Sequence, residues 1–467
     1  MYTEKIALVA KRQNNTKRSY LVVNKYQGKH IPVNPEKALE LFSALAGLVE
    51  KRCQGEHLLL IGFAETATAI GEALAVQLGA SYMQTTREQI EGVEYLYFSE
   101  SHSHATEQKV VKNDLDAAIL GAETAKVPLP SRGCPGILAP AATQAEAAKA
   151  PAPSKGNLGA LSPAAVQAEG DVGPHFNVSH IVFVEDEVTT GNTIWKIIQL
   201  IRQEYGENLC FSVASLLNGM DREAQENYRK EGIDLVYLVK TDHSGYPALA
   251  GHCINDGMYH KCQPIHKSKG HPSQNSGNQP FYEGKVQLSH ESGMEIEAFS
   301  VSGYINARRL HKGAEYQAAC GSLWQGIKEK VPFGTGQEIL VLGTEEFMYA
   351  PLYVAQKIQE LGNRVKFHAT TRSPIVVSKN PCYPLHERYE LVSLYDKGRV
   401  TYLYDLAKYD LVLVVTDAEP SVGQNGNFSE EGRQGDACLE EPGMASLYNA
   451  ISSCGNQKLY FVRWRGE

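Results

Sequence analysis

Along this chain the longest apolar runs are short, continuous and β-favouring rather than alternating: LLLIG at 58–62, IVFV at 181–184, EILVLG at 338–343 and LVLVV at 411–415. Runs of this kind predict strands covered on both faces, as in a parallel sheet. Two of them are followed by a Gly turn and a helical apolar period, the first predicting a helix from about Thr66 to Leu78. The third, 181–184, runs into Glu185-Asp186 and then Thr189-Thr190-Gly191-Asn192-Thr193, where a turn should open a helix continuing through Trp195-Lys196-Ile197-Ile198. The pattern predicts an α/β protein whose ligands bind at the carboxyl ends of the strands.

Composition breaks this pattern in two places. Residues 135–170 hold twelve Ala and five Pro in 36 residues, with almost no large apolar side chain. Such a segment cannot bury enough surface to order itself, and an insertion without packed elements is expected over about 110–175. A second polar stretch, 263–294, reads as an interdomain linker. The expected domains are therefore 1–262 and 295–467. A net charge of −8 in 467 residues gives no basic footprint for nucleic acid or anionic membrane. Nine cysteines and a start, MYTEKIALVAKRQ, with only a short apolar stretch point to reduced thiols in a cytoplasmic protein. Small molecules are the expected partners, and a homodimer is left open.

The chemistry gathers at the strand ends. A Thr/Gly turn at a helix start offers backbone N–H groups, hydroxyls and a positive dipole end to one phosphate. The acids Glu185 and Asp186 beside it suit ribose hydroxyls, a developing positive charge on a sugar carbon, or a magnesium ion shared with the ligand. Phosphate, sugar and metal together describe phosphoribosyl pyrophosphate. In the earlier turn, Ala64-Glu65-Thr66 offers N–H groups to a second anionic group.

Taken together, these two turns resemble the type I phosphoribosyltransferase fold, a parallel-sheet Rossmann-like core in which one loop holds pyrophosphate and a later acid-acid-Thr-Gly loop holds ribose 5-phosphate. NKYQGKHIPVNP at 24–35 is similar to the Ser-Gly-Lys-x-Ser-Pro stretch of the orotate enzymes at Gly28, Lys29 and Pro32, and the resemblance implies that Lys29 lies near the base and the donor. It also implies a mobile lid between the two turns. Here that region offers His102, His104 and Lys109 after a strand ending at Thr85-Thr86-Arg87, with Arg87 and the lid meeting the leaving charge; surface residues and metal ligands are the other readings of the two histidines. Magnesium bridges pyrophosphate and ribose in the family.

The set as a whole most closely resembles orotate-like phosphoribosyltransferases followed by a domain named for a Thr-Arg-Ser-Pro motif, which stands here as Thr371-Arg372-Ser373-Pro374. Such proteins occur in tellurium-resistance gene clusters, and the resemblance implies a stress-linked, nucleoside-like product without naming the base. A PRPP-binding regulator without catalysis is the alternative.

The second α/β domain itself repeats the first. EILVLGTEEFMYAPLYVAQKIQELGNRVKFHATTRSP has the strand, the Gly, a Glu three residues on, a helix ending in Leu-Gly and a strand running into Thr-Thr-Arg. Arg372 falls where Arg87 does, and Asp417 where Asp186 does, without a Thr-Thr-Gly. A degenerate copy is one reading and the chance likeness of unrelated βα units the other. Thr344, Glu345, Glu346, Thr371, Arg372 and Ser373 are candidates for a second ligand site at those strand ends. The cluster His252-Cys253, His260, Cys262 and His266 lacks a paired Cys-x-x-Cys and gives only a weak zinc pattern.

Overall fold

The computed structural model describes residues 2–15, 18–98, 108–121, 178–262, 284–287, 293–419 and 441–466. In chain order the first half holds β1 (Ala7–Lys11), β2 (Tyr20–Asn24), α1 (Pro35–Arg52), β3 (Leu58–Gly62), α2 (Thr68–Leu78), β4 (Ser81–Gln84), β5 (Tyr95–Phe98), β6 (Gln108–Val111), α3 (Lys112–Leu120), β7 (His180–Val188), α4 (Asn192–Tyr205), β8 (Cys210–Asn218), α5 (Arg222–Lys230), β9 (Ile233–Lys240), α6 (Tyr246–Gly251) and β10 (Met258–Lys261). The second half holds β11 (Gly284–Gln287), β12 (Glu295–Val301), β13 (His311–Lys312), α7 (Gly313–Lys330), β14 (Glu338–Gly343), α8 (Tyr349–Glu360), β15 (Arg364–Ala369), β16 (Glu387–Val392), β17 (Val400–Tyr404), β18 (Leu411–Thr416), α9 (Pro442–Ser453) and β19 (Lys458–Trp464).

The four apolar runs became β3, β7, β14 and β18, and each is an inner strand with parallel neighbours on both sides. The first sheet runs β13-β4-β3-β7-β8-β9 and the second β11-β12-β19-β18-β14-β15. Within each sheet the core order is the same, β4-β3-β7-β8 against β15-β14-β18-β19. Each half also places an antiparallel pair between its second and third core strands, β5-β6 in one and β16-β17 in the other. Register sharpens the match. Gly62 lies beside Val184 and Leu342 beside Val414, so Asp186 and Asp417 occupy equivalent strand ends.

Helix α1 starts because Asn34 caps it, accepting from Lys37 N at 3.1 Å, and Pro35 suits the first turn. Its buried stripe Ala38, Leu41, Phe42, Leu45 and Val49 faces the sheet. Helix α2 is apolar nearly all round because α1, α7 and α8 pack against it. One hydrophobic core therefore runs through both halves, from Phe42 and Ile61 to Leu323, Leu352 and Trp464.

Two boundaries differ from the sequence expectation. The stretch expected to lack packed elements from about 110 instead carries β6 and α3 through Leu120, because Val110, Val111, Leu115, Ala118 and Ile119 are buried at strand and then helix spacing. The rest of that insertion lies outside the described residues. The halves also exchange strands: β13 of the second pairs with β4 of the first, and β10 of the first pairs with β16 of the second. Among the described residues no helix is long and apolar enough to cross a membrane.

Candidate active site

A cavity of about 250 Å³ opens at the carboxyl ends of β3 and β7. Its floor is the β3–α2 turn, with Phe63, Ala64, Glu65 and Thr66, and its side is formed by Glu185, Asp186 and Glu187 at the end of β7 and by Thr193 in the first turn of α4. The turn is held in place from below. Thr85 accepts from Ala64 N at 2.9 Å and donates to Gln108 Oε1 at 3.0 Å, while Gln108 Nε2 donates to Ala64 O at 2.8 Å. Thr66 Oγ1 donates to Asp186 at 2.9 Å, and Gln27 bridges Thr66 O and Asp186 with its amide. The acid pair is thus tied to the turn through neutral donors.

Of the Thr/Gly loop only Thr193 lines the cavity; Thr190 and Asn192 are exposed and Thr189 is half-buried. Gly191 sets the turn with φ +74°, and its carbonyl accepts from Tyr228 at 2.6 Å. A Cβ at this position would stand 2.7 Å from the Tyr228 hydroxyl. Helix α4 therefore begins from a left-handed residue held by a buried tyrosine.

Three sequence expectations change. Lys29 is fully buried and does not line the cavity: it pairs with Glu65 and donates to Glu345 O at 2.6 Å and Thr370 O at 2.9 Å. Two of these three partners, Glu345 and Thr370, lie in the second half, out of reach of any local sequence pattern. Gly28 beside it, at φ +82°, touches the Phe367 ring so closely that a Cβ would come within 2.5 Å. Lys109 sits in β6, where side chains alternate; Gln108 faces the site while Lys109 donates to Gln89 at 2.6 Å and covers Tyr95. Of the proposed lid residues, Lys109 is therefore part of the framework, and His102 and His104 lie outside the described residues.

The third change concerns the second half. Its candidate residues do not form a separate site. Arg372 and Ser373 line the first half's cavity, together with Arg87, so both halves contribute to one pocket. Glu346 is buried in the interface, accepting from Thr86 Oγ1 at 2.7 Å and Arg87 N at 3.0 Å. Glu345 accepts from Arg372 Nε at 2.5 Å and Arg399 at 2.8 Å. Thr344 bonds Tyr395 and Thr416, and Thr371 is buried in a backbone bridge to Tyr402. Burial pushes Glu346 up, but Arg372, Arg308, Thr86 and the Arg87 N–H outweigh it and hold its carboxyl at about 2. Burial likewise opposes Glu65, yet Lys29 and Arg372 keep it below the usual carboxylate range.

Several lining residues carry no motif. Arg12, Leu21 and Val22 come from the β1–β2 hairpin, and Arg18 donates through Nη2 to both carboxylate oxygens of Glu187, at 2.6 and 2.7 Å. Glu187 continues the acid run at 185–186, the only local signal for it. His30 also lines the cavity, and burial pushes its imidazole down to about 4. His252, Cys253, His260 and Cys262 form no metal-binding group among the described residues, where His260 stacks on Tyr389; His266 lies outside them.

The sequence of the first half, residues 6–125, matches a family of phosphoribosyl transferases, and residues 309–430 match the TRSP domain, described as lying C-terminal to that transferase domain. The chain is a phosphoribosyltransferase carrying a C-terminal TRSP domain. No curated protein matches it. Among solved structures, adenine phosphoribosyltransferase from Rhodothermus marinus is 12% identical, covering 51% of this chain and 96% of its own at a TM-score of 0.30. The Trypanosoma brucei adenine enzyme, in complex with AMP, pyrophosphate and ribose-5-phosphate, is 12% identical over 51% and 77% at 0.29. Orotate phosphoribosyltransferase from Aeropyrum pernix is 12% identical over 52% and 93% at 0.27. Superpositions this loose carry no functional argument.

Proposed function

We propose that the chain transfers the phosphoribosyl group of phosphoribosyl pyrophosphate to a ring nitrogen of a nucleobase-like acceptor. The observation that carries this reading is the convergence, on one cavity, of the Ala64–Thr66 turn, the acid pair Glu185 and Asp186, Thr193 at the start of α4, and Arg87. In this reading α4 and the Thr189–Thr193 turn grip the 5-phosphate, the β3–α2 turn and Arg87 take the pyrophosphate, and Glu185 and Asp186 hold the ribose hydroxyls. The bond from C1 to pyrophosphate oxygen breaks as the acceptor nitrogen bonds C1 from the opposite face, and that nitrogen's proton leaves to solvent. The sugar gains positive charge on the way, which the two carboxylates stabilise.

Glu185 and Asp186 fit a magnesium ion, since both are hard oxygen donors at the cavity wall and Asp186 is tied to its neighbours by neutral hydroxyl and amide donors. Magnesium bound there would offset the charge of the departing pyrophosphate. His102 and His104 enter no step. The link to a stress metabolite and tellurite rests on family resemblance alone.

The test is incubation with magnesium, phosphoribosyl pyrophosphate and a panel of bases, measuring pyrophosphate. Release that depends on one base supports the transferase reading. Donor binding without release for any base would make the protein a PRPP-binding regulator instead.

A further inference from the structure

The contacts between the halves are reciprocal. Val33, just before α1, exchanges backbone hydrogen bonds of 2.9 and 2.7 Å with Phe367 of β15; His311, just before α7, pairs with Tyr82 at the matching place on β4. Glu346 of the second turn accepts from Arg87 N at 3.0 Å, and Glu65 of the first turn accepts from Arg372 N at 3.2 Å. The supporting bonds recur as well: Thr370 accepts from Glu345 N at 3.0 Å as Thr85 does from Ala64 N at 2.9 Å. Contacts in which i meets j and j's counterpart meets i's are the signature of an isologous two-fold interface.

In this arrangement the arginine at the end of each edge strand reaches the other half's strand-to-helix turn. The two turns differ in what surrounds them. Around Asp417 the space is filled by the chain itself: Arg308 donates to it at 2.6 Å, Tyr304 at 2.7 Å and Tyr395 at 2.5 Å, with Arg308 buried and both tyrosines half-buried. Around Asp186 there is a cavity, and Arg372 lines it. The Arg372 bonds to Glu345, Glu88 and Glu346 run through Nε and Nη2, so Nη1 is the nitrogen left to meet a ligand oxygen.

We propose that the second half is a built-in partner protomer with a self-filled site, and that its Arg372 binds the pyrophosphate end of the donor in the first half's cavity. This rests on the transferase reading above. The chain then binds one donor, and the Thr-Arg-Ser-Pro motif works as part of the first half's site.

Calorimetry on the full chain with magnesium and two separate probes, inorganic pyrophosphate and ribose 5-phosphate, tests it. Arg372→Ala is expected to weaken pyrophosphate binding by about tenfold or more while ribose 5-phosphate changes less than about twofold, with Arg372→Lys recovering part of the loss. Should Arg372→Ala fail to fold, Ser373→Tyr decides, since it fills the same wall without removing a buried cation: about a tenfold loss of phosphoribosyl pyrophosphate binding at an unchanged melting temperature supports the proposal. One donor per chain is expected. Unchanged pyrophosphate affinity in Arg372→Ala, unchanged donor affinity in Ser373→Tyr, or two donors per chain would overturn it. A wild-type chain that binds neither probe overturns the transferase reading, and this proposal with it.

Discussion

Asp186 and Asp417 end equivalent strands on equivalent backbones, yet one faces a cavity and the other faces its own chain. The residues that decide this are His30 and Arg308. His30 precedes Val33 by the same interval by which Arg308 precedes His311, and those two anchor the matching strand exchanges. His30, its imidazole pushed down to about 4 by burial, brings no charge to Asp186 near neutral pH. Arg308 brings a permanent one to Asp417 and Glu346, at 2.6 and 3.2 Å. A carboxylate already matched by a guanidinium has no need of a cationic or hydroxylated ligand. The comparison shows that a binding site can be lost without loss of fold, by letting the protein supply the counter-charge that the ligand would bring.

The sharpest way to break this comparison is to neutralise each aspartate in turn. Asp186→Asn is expected to lower kcat by about a hundred- to a thousandfold, or ~2.7–4 kcal/mol, with a much smaller effect on donor KM, because the carboxylate acts most strongly as the sugar gains charge. Asp417→Asn should leave turnover within about twofold and instead lower stability, as Arg308 loses its closest anion. Steady-state kinetics and denaturant unfolding on both variants separate the two roles. Equal kinetic losses would mean that the second site also works in catalysis.

The interface offers the next test. Glu346→Gln leaves Arg308 and Arg372 short of a buried partner, and ~3–5 kcal/mol of stability should be lost in chemical denaturation. The same residue fixes a pH dependence. Its carboxyl titrates at about 2 in the folded chain against an ordinary 4.5, a depressed value. Its contribution is therefore complete above about pH 5 and is lost as pH falls toward 2, because the unfolded chain takes up the proton first. Glu346→Gln should flatten that part of the acid-unfolding curve. The smallest expected effect is local: Gly191→Ala, strained by ~1–2 kcal/mol at φ +74° and pressed on Tyr228, should raise donor KM with kcat nearly unchanged, as a grip on an unreacting phosphate would.

How much of this was legible along the chain follows the distance between partners. The strands, the acid pair and the Thr-Thr-Arg repeat are local patterns, and the sequence placed all of them at strand ends. Lys29 was read as a ligand contact because Gly28, Lys29 and Pro32 resemble the orotate stretch; of the partners that bury it, Glu345 and Thr370 belong to the other half. Arg18 and Glu187 meet across the first half with no motif on either side. Arg372 was assigned to a second ligand site because it stands at a strand end of the second half, where a ligand could bind, whereas a two-fold arrangement turns that end toward the other copy. The edge of the insertion was misplaced for a simpler reason. KVVKNDLDAAIL carries a strand and a helical period, but the Ala/Pro-rich stretch that follows dominates the composition of the window.

The reciprocal interface also bears on how such a molecule can change over generations. In an assembly of two identical chains, every substitution strikes both faces at once, so a residue useful in one site and harmful in the other cannot be kept. Here Glu65 and Glu346, or His30 and Arg308, are separate codons on one polypeptide. Each can drift alone while its counterpart is held fixed, and dilution cannot pull the two faces apart as it would separate subunits.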